Sequence, residues 1–186
     1  RQSNHATVPR SSDDAAALLY TSGTTSDPKG VVLTHGNLEA ERLAALSVIT
    51  VTHEDVVLGV LPLFHALAQM ANLLLPLTTG ARVVFLESVN STTLLEALRT
   101  QGVTILACVP QFYYLVHERV MTTVAAGGFL TRSLFRGMLR SSGWLRDRIG
   151  INIGPILFSK VHAAFGPCMR FLITGGSRFD PATARD

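Results

Sequence analysis

Charge is scarce in this chain. Lys, Arg, Asp and Glu make up 16% of its 186 residues and sum to a formal +3. No dense Lys/Arg block accompanies that small excess, so nucleic acid is not expected as a partner. With 47% of the residues apolar, the composition is that of a buried globular core rather than a disordered segment. Cysteine is nearly absent. Cys108 and Cys168 stand far apart, without CxxC spacing or a neighbouring His cluster, which argues against a zinc site or a disulfide framework and for a reduced, cytoplasmic setting. The polar segment Arg1 to Asp14 lacks the apolar stretch of a signal peptide. The most hydrophobic stretch, Leu61 to Leu77, is interrupted by His65, Gln69, Asn72 and Pro76 and is shorter than the roughly 20 residues of a spanning helix. It reads as a buried helix. Internal repeats and low-complexity tracts are also missing.

What is present alternates. After a polar leader at residues 1–13, Ala15 to Tyr20 and Val31 to Leu33 read as strands on either side of the turn-rich segment Thr21 to Lys29. A helical period through Leu38, Leu43, Leu46 and Ile49 follows Thr34, a suitable N-cap. Three more apolar runs, Val56 to Leu61, Val83 to Leu86 and Val103 to Val109, are separated by helical patterns at Leu67 to Leu77 and Thr92 to Gln101. That order predicts an α/β fold with a largely parallel sheet flanked by helices. Asn90 or Ser91 can cap the second of these helices, and Gly102 sits where a C′ glycine is expected. From Pro110 the chain reads as helical with breaks at Gly127, Gly128 and Gly143. Arg170 to Thr174 is then a strand leading into Gly175 and Gly176, and Pro181 opens a last helix.

The segment Thr21-Ser22-Gly23-Thr24-Thr25-Ser26-Asp27-Pro28-Lys29-Gly30 concentrates hydroxyls, glycine and one lysine directly after a strand. Hydroxyls and backbone N–H groups of such a turn can surround phosphate oxygens, with the ammonium adding a point charge. Composition alone fits a solvated hairpin loop equally well. A Walker A loop is excluded, because its lysine lies between Gly and Ser or Thr, whereas Lys29 lies between Pro28 and Gly30.

The order of residues from Tyr20 to Gly30 resembles the signature of the adenylate-forming superfamily, Tyr-Thr-Ser-Gly-Thr-Thr-Gly-x-Pro-Lys-Gly, departing from it only at Ser26. Two further segments share the resemblance. Leu61-Pro62-Leu63-Phe64-His65 is similar to the motif whose histidine lies near the acyl carboxylate. Arg170 to Ser177 is similar to the strand and glycine turn that approach the acyl-adenylate, although Ser177-Arg178-Phe179 replaces the commoner Ala-Pro-Leu. A lone His on an apolar element is more often a satisfied core residue, and the spacing of the motifs is what favours the pocket. Pro155 to His162 is most similar to the long-chain fatty-acid acyl-CoA synthetases.

The resemblance covers residues 14–186 and implies part of a large N-terminal domain, with the C-terminal domain absent. It implies ATP, Mg²⁺ and CoA as substrates and cofactors, and activation of a fatty acid to acyl-AMP and then acyl-CoA. Thr21, Ser22, Gly23, Thr24, Thr25, Ser26 and Lys29 are then expected at the ATP phosphates. His65, Gly175, Gly176 and Ser177 are expected around the acyl-adenylate, with no catalytic residue and no metal ligand inside the segment. No Thr-Glu pair of the kind that supplies the family's metal-binding glutamate occurs, so the segment alone is expected to be inactive. Two alternatives stay open: an acyl-AMP ligase that loads a carrier-protein thiol, and a non-catalytic nucleotide- or lipid-binding module. Arg132, Arg136 and Arg140 recur every four residues along one side of a helix, with Leu134, Phe135, Met138 and Leu139 along another. That helix either meets an anionic membrane as a peripheral contact or packs its apolar side on its own domain. Apolar edges left open by a partial sheet make self-association a further expectation.

Overall fold

The computed structural model describes residues 8–21 and 28–185. The chain divides into two compact units, one made of residues 1–53 and 62–81 and the other of residues 54–61 and 82–186.

The first unit opens with a turn in which Asp14 N–H donates to the Ser11 carbonyl and the Asp14 carboxylate accepts from Ser11 N–H. Strands β1 (Ala15–Thr21) and β2 (Lys29–Thr34) then pair antiparallel, with an irregularity in register between Ala15 and Ala17. Helix α1 (His35–Val48) starts from a capping box. The Thr34 hydroxyl accepts from Asn37 N–H, and the Asn37 side chain accepts from Thr34 N–H, so two otherwise orphaned donors are satisfied. The hydrophobic stretch forms one helical rod of α2 (Ala66–Gln69), a π-helical turn (Met70–Leu74) and α3 (Leu75–Thr79). Ala68, Met70, Ala71, Asn72 and Leu75 of this rod are buried.

The second unit is built on four parallel strands in the order β4 (Arg82–Phe85), β3 (Val56–Gly59), β5 (Ile105–Cys108), β6 (Phe171–Thr174). Helices α4 (Ser91–Thr100), α5 (Pro110–Ala126), α6 (Gly128–Ile149), α7 (Gly154–Leu157), α8 (Ser159–Ala164) and α9 (Pro181–Arg185) accompany the sheet. Period-2 alternation puts Val56, Leu58, Leu106 and Cys108 into one core cluster with Leu94, Ala97 and Leu98 of α4, which recur at helical spacing. Each fully buried Leu or Val contributes on the order of 1.5–3 kcal/mol. Asn90, rather than Ser91, caps α4, accepting from the N–H groups of Thr92 and Thr93 at 3.0 Å. Gly166 follows α8 at φ +91, and a Cβ there would collide with the Leu98 carbonyl oxygen, so α8 and α4 approach closely only through a glycine.

Asp55, 1% exposed, ties the amino ends of three strands together. Its carboxylate accepts from the Thr104 hydroxyl at 2.7 Å and from Arg170 Nη1 at 2.6 Å. The Thr104 hydroxyl also accepts from Val56 N–H at 2.9 Å. A buried carboxylate is tolerated only when paired in this way.

Three sequence expectations change. The break expected at Gly127 and Gly128 is present, but Gly143 does not break a helix: it lies inside α6, which ends at Gly150. The third and fifth expected strand runs, Val56 to Leu61 and Val103 to Val109, are shorter than their apolar stretches, covering only Val56–Gly59 and Ile105–Cys108. Leu134, expected on the same side as Phe135, Met138 and Leu139, is 68% exposed, while the Phe135 ring meets Phe158 at 5.4 Å.

Candidate functional site

The hairpin of the first unit brings the two ends of the hydroxyl-rich loop together. Thr21 and Lys29 are register partners, and the Thr21 hydroxyl lies 3.4 Å from the Lys29 carbonyl oxygen. Both residues are exposed. Tyr20 pairs with Gly30 across the strands, and its ring covers the glycine. The expected phosphate-binding residues Ser22, Gly23, Thr24, Thr25 and Ser26 lie outside the described residues. The pairing of β1 with β2 holds the two ends of the loop together beside the exposed Lys29.

In the same unit His65 is the N-cap residue of α2, in extended conformation, with its carbonyl accepting from Gln69 N–H at 2.9 Å. Its side chain is exposed, and its ring lies 4.4 Å from that of Phe64 at 52°. The bland expectation for a histidine on an apolar element, a satisfied core residue, therefore does not describe His65.

The remaining expected residues belong to the second unit. Gly175, Gly176 and Ser177 form the turn at the carboxyl end of β6, the edge at which parallel sheets bind ligands. Gly176 has φ +81 with nothing near its missing Cβ, so conformation rather than space selects glycine there. Just before the turn, the Thr174 hydroxyl is shielded from solvent and makes no hydrogen bond. Behind the turn, the Phe179 ring sits 5.2 Å from Tyr114 and 6.0 Å from Tyr113. The Tyr114 hydroxyl accepts from Asp180 N–H at 2.8 Å. Phe179 therefore packs inward, whereas Arg178 is exposed.

Tyr113 and Tyr114 were not singled out by the sequence reading. Tyr113 reaches from α5 to the sheet, its hydroxyl 3.1 Å from the Leu106 carbonyl oxygen and 3.0 Å from that of Ile173. It thereby bridges β5 and β6 beside the glycine turn. Burial, with a smaller effect from Cys108, raises its pKa, so the phenol stays a neutral donor. Burial likewise pushes the Cys108 thiol up to about 12. Asp180 is shifted the other way: the Thr183 N–H, at 2.9 Å, is the largest cause holding its carboxyl below the usual range. The signal that could have found the tyrosines was the run Phe112-Tyr113-Tyr114, which starts two residues after the Pro110 that opens the helix. Among the described residues no three His, Cys, Asp or Glu side chains converge.

The sequence pattern of the family described as AMP-binding enzyme matches residues 1–186. This chain belongs to that family. Its sequence is 32% identical over 177 residues to "Long chain acyl-CoA synthetase 6, peroxisomal" of Arabidopsis thaliana, covering 93% of this chain and 25% of the relative. It is 30% identical over 189 residues to "Long-chain-fatty-acid--CoA ligase 6" of Homo sapiens, covering 97% of this chain and 26% of that protein. The crystal structure of ATP-bound MatB from Rhodopseudomonas palustris superposes with a TM-score of 0.63 at 25% identity, over 97% of this chain and 28% of that one. The chain thus spans about a quarter of the length of the relatives it matches.

Proposed function

We propose that this chain is part of an ATP-dependent, AMP-forming acyl-CoA synthetase that activates fatty acids. The reading rests first on the similarity to proteins named as long-chain acyl-CoA synthetases. One structural observation supports it locally: the strands close the hydroxyl-rich loop so that Thr21 and exposed Lys29 are paired at its base. In the reaction, a fatty-acid carboxylate oxygen attacks the α-phosphorus of ATP, forming acyl-AMP as the bond to pyrophosphate breaks. The CoA thiol then attacks the acyl carbonyl carbon, giving the thioester and releasing AMP and the thiol's proton.

In this reading Thr21, Ser22, Gly23, Thr24, Thr25, Ser26 and Lys29 surround the ATP phosphates. Lys29 offsets charge that builds on the departing pyrophosphate, an electrostatic role that needs placement more than chemistry. His65 faces the acyl carboxylate. Gly175, Gly176 and Ser177 offer backbone donors to the adenylate, held in place by Tyr113 and Phe179. Mg²⁺ supplies additional charge neutralisation in such enzymes, and its ligands are assigned to residues outside the described part.

The test is pyrophosphate release in the full-length protein with Lys29→Ala. Loss of one such donor lowers the rate on the order of 100- to 1000-fold, whereas an exposed side chain changes stability by no more than about 0.5 kcal/mol. A variant releasing pyrophosphate at the parent rate would remove the loop from the reaction. Comparing AMP release with CoA against a holo carrier protein separates the synthetase from a carrier-loading ligase. Calorimetric binding of ATP and fatty acid without turnover would favour a binding module.

A further inference from the structure

Just past the carboxyl end of β6, position 178 departs from the motif that the glycine turn resembles: arginine stands where proline is commoner. Proline would bring neither charge nor N–H to that spot. Arg178 brings both, and a guanidinium stays charged at any pH at which the protein is folded. The backbone on either side of it is held. Gly176 takes φ +81, the Phe179 ring sits against Tyr113 and Tyr114, and Asp180 N–H donates to the Tyr114 hydroxyl at 2.8 Å. With Phe179 turned inward, Arg178 is left exposed at the rim. The acid nearest to it in sequence is occupied elsewhere: the Asp180 carboxylate accepts from Thr183 N–H at 2.9 Å and from the Thr183 hydroxyl at 3.1 Å. Among the described residues, no carboxylate forms an ion pair with Arg178.

We propose that Arg178 binds the phosphate of the adenylate, and thereby sets how tightly the site holds ATP before the reaction and AMP after it. The proposal rests on the reading of Gly175 to Ser177 as donors to the adenylate. Consecutive Cα atoms are about 3.8 Å apart, and an arginine stem is longer than that, so the guanidinium reaches a nucleotide held at Ser177. Of that nucleotide only the phosphate is anionic, and parallel N–H donors of the guanidinium match two of its oxygens. The phosphate next to the ribose carries negative charge in ATP, in acyl-AMP and in AMP alike. Arg178 therefore contributes nearly uniform binding, which lowers KM for ATP and strengthens inhibition by the product without favouring the transition state.

The experiment compares the full-length protein with its Arg178→Gln and Arg178→Lys variants by calorimetric titration with AMP, and by pyrophosphate release at varied ATP and varied CoA. Arg178→Gln is expected to raise the dissociation constant of AMP and KM for ATP by about tenfold each, the low end for a hydrogen bond to a charged group. KM for CoA should stay where it is. Arg178→Lys keeps the charge but loses the fork, so its values should fall between the two. Added salt should narrow the gap between the parent and Arg178→Gln, because an exposed ion pair is screened. Equal AMP affinity in the parent and Arg178→Gln, or no AMP binding to the parent, would overturn the proposal. So would a rise confined to KM for CoA, which would give the guanidinium to the phosphates of the second substrate instead. AMP binding that responds to Arg178→Gln in a parent that releases no pyrophosphate would uphold the phosphate contact and sink the synthetase reading alone.

Discussion

Cys108 ends β5 one residue before the chain turns into α5, and its thiol is surrounded by the core formed with Leu98 and Leu106. Burial disfavours the thiolate, moving the pKa from an ordinary 9.0 up to about 12. Over that interval the unfolded chain has lost the proton that the folded chain keeps, so the contribution of Cys108 to stability is intact below pH 9 and is lost as pH rises towards 12. Iodoacetamide at pH 8 is therefore expected to leave Cys108 unmodified in the native protein and to alkylate it once urea is added. Modification of native protein, read by mass spectrometry, would place the thiol outside the core. Gly176 makes a second residue-scale case. Open space surrounds its missing Cβ, but its φ of +81 costs an L-residue roughly 1–2 kcal/mol. Gly176→Ala should lower stability by about that amount in a urea titration, with a drop in adenylate formation if the backbone relaxes. An unchanged unfolding midpoint would mean that the turn adopts this conformation without strain.

Among the elements, those whose causes are local were legible in the sequence. The Thr34 and Asn90 caps, the hairpin around the hydroxyl-rich loop and the alternation of strand and helix depend on residues a few positions apart, and each stands where expected. What the sequence hid is non-local. Which side of α6 is inner is decided by Phe158, more than twenty residues after Phe135, and Leu134, at the margin of that side, stays exposed. Gly143 reads as a breaker because glycine costs about 1 kcal/mol in a helix, yet the surrounding α6 residues carry the helix through it. The Tyr113 hydroxyl spans carbonyls on two strands that no spacing rule joins. Of the candidate site, the loop and the glycine turn were legible as motifs, and the aromatic backing of the turn was not. That backing yields a prediction: Tyr113→Phe keeps the ring contacts and removes the donor, leaving shielded carbonyl oxygens less satisfied at a cost of about 1–3 kcal/mol. Faster amide exchange confined to β5 and β6 would be its signature, and exchange unchanged from the parent would show that the bridge holds nothing.

For the whole chain the decisive feature is how much apolar surface is left uncovered. Leu18, Tyr20 and Val32 on the two-stranded hairpin are each more than half exposed, and a lone hairpin is at best marginally stable in water. Strands β4 and β6 are the outer strands of the parallel sheet, with Phe85 at 53% and Leu172 at 46% exposure. Unpaired edges flanked by apolar side chains template association with other chains. The relatives are about four times as long as this chain. The 186 residues alone are therefore expected to self-associate, giving light-scattering masses well above the monomer at micromolar concentration. They are also expected to release no pyrophosphate from ATP and fatty acid. The sequence contains no Thr-Glu pair of the kind that supplies the metal-binding glutamate of the family it resembles. The charge that develops around the α-phosphate would then go unneutralised, where a metal contributes several kcal/mol. A monodisperse monomer would show that the exposed strands tolerate water, and sustained turnover would show that these residues already hold the groups assigned to the rest of the protein.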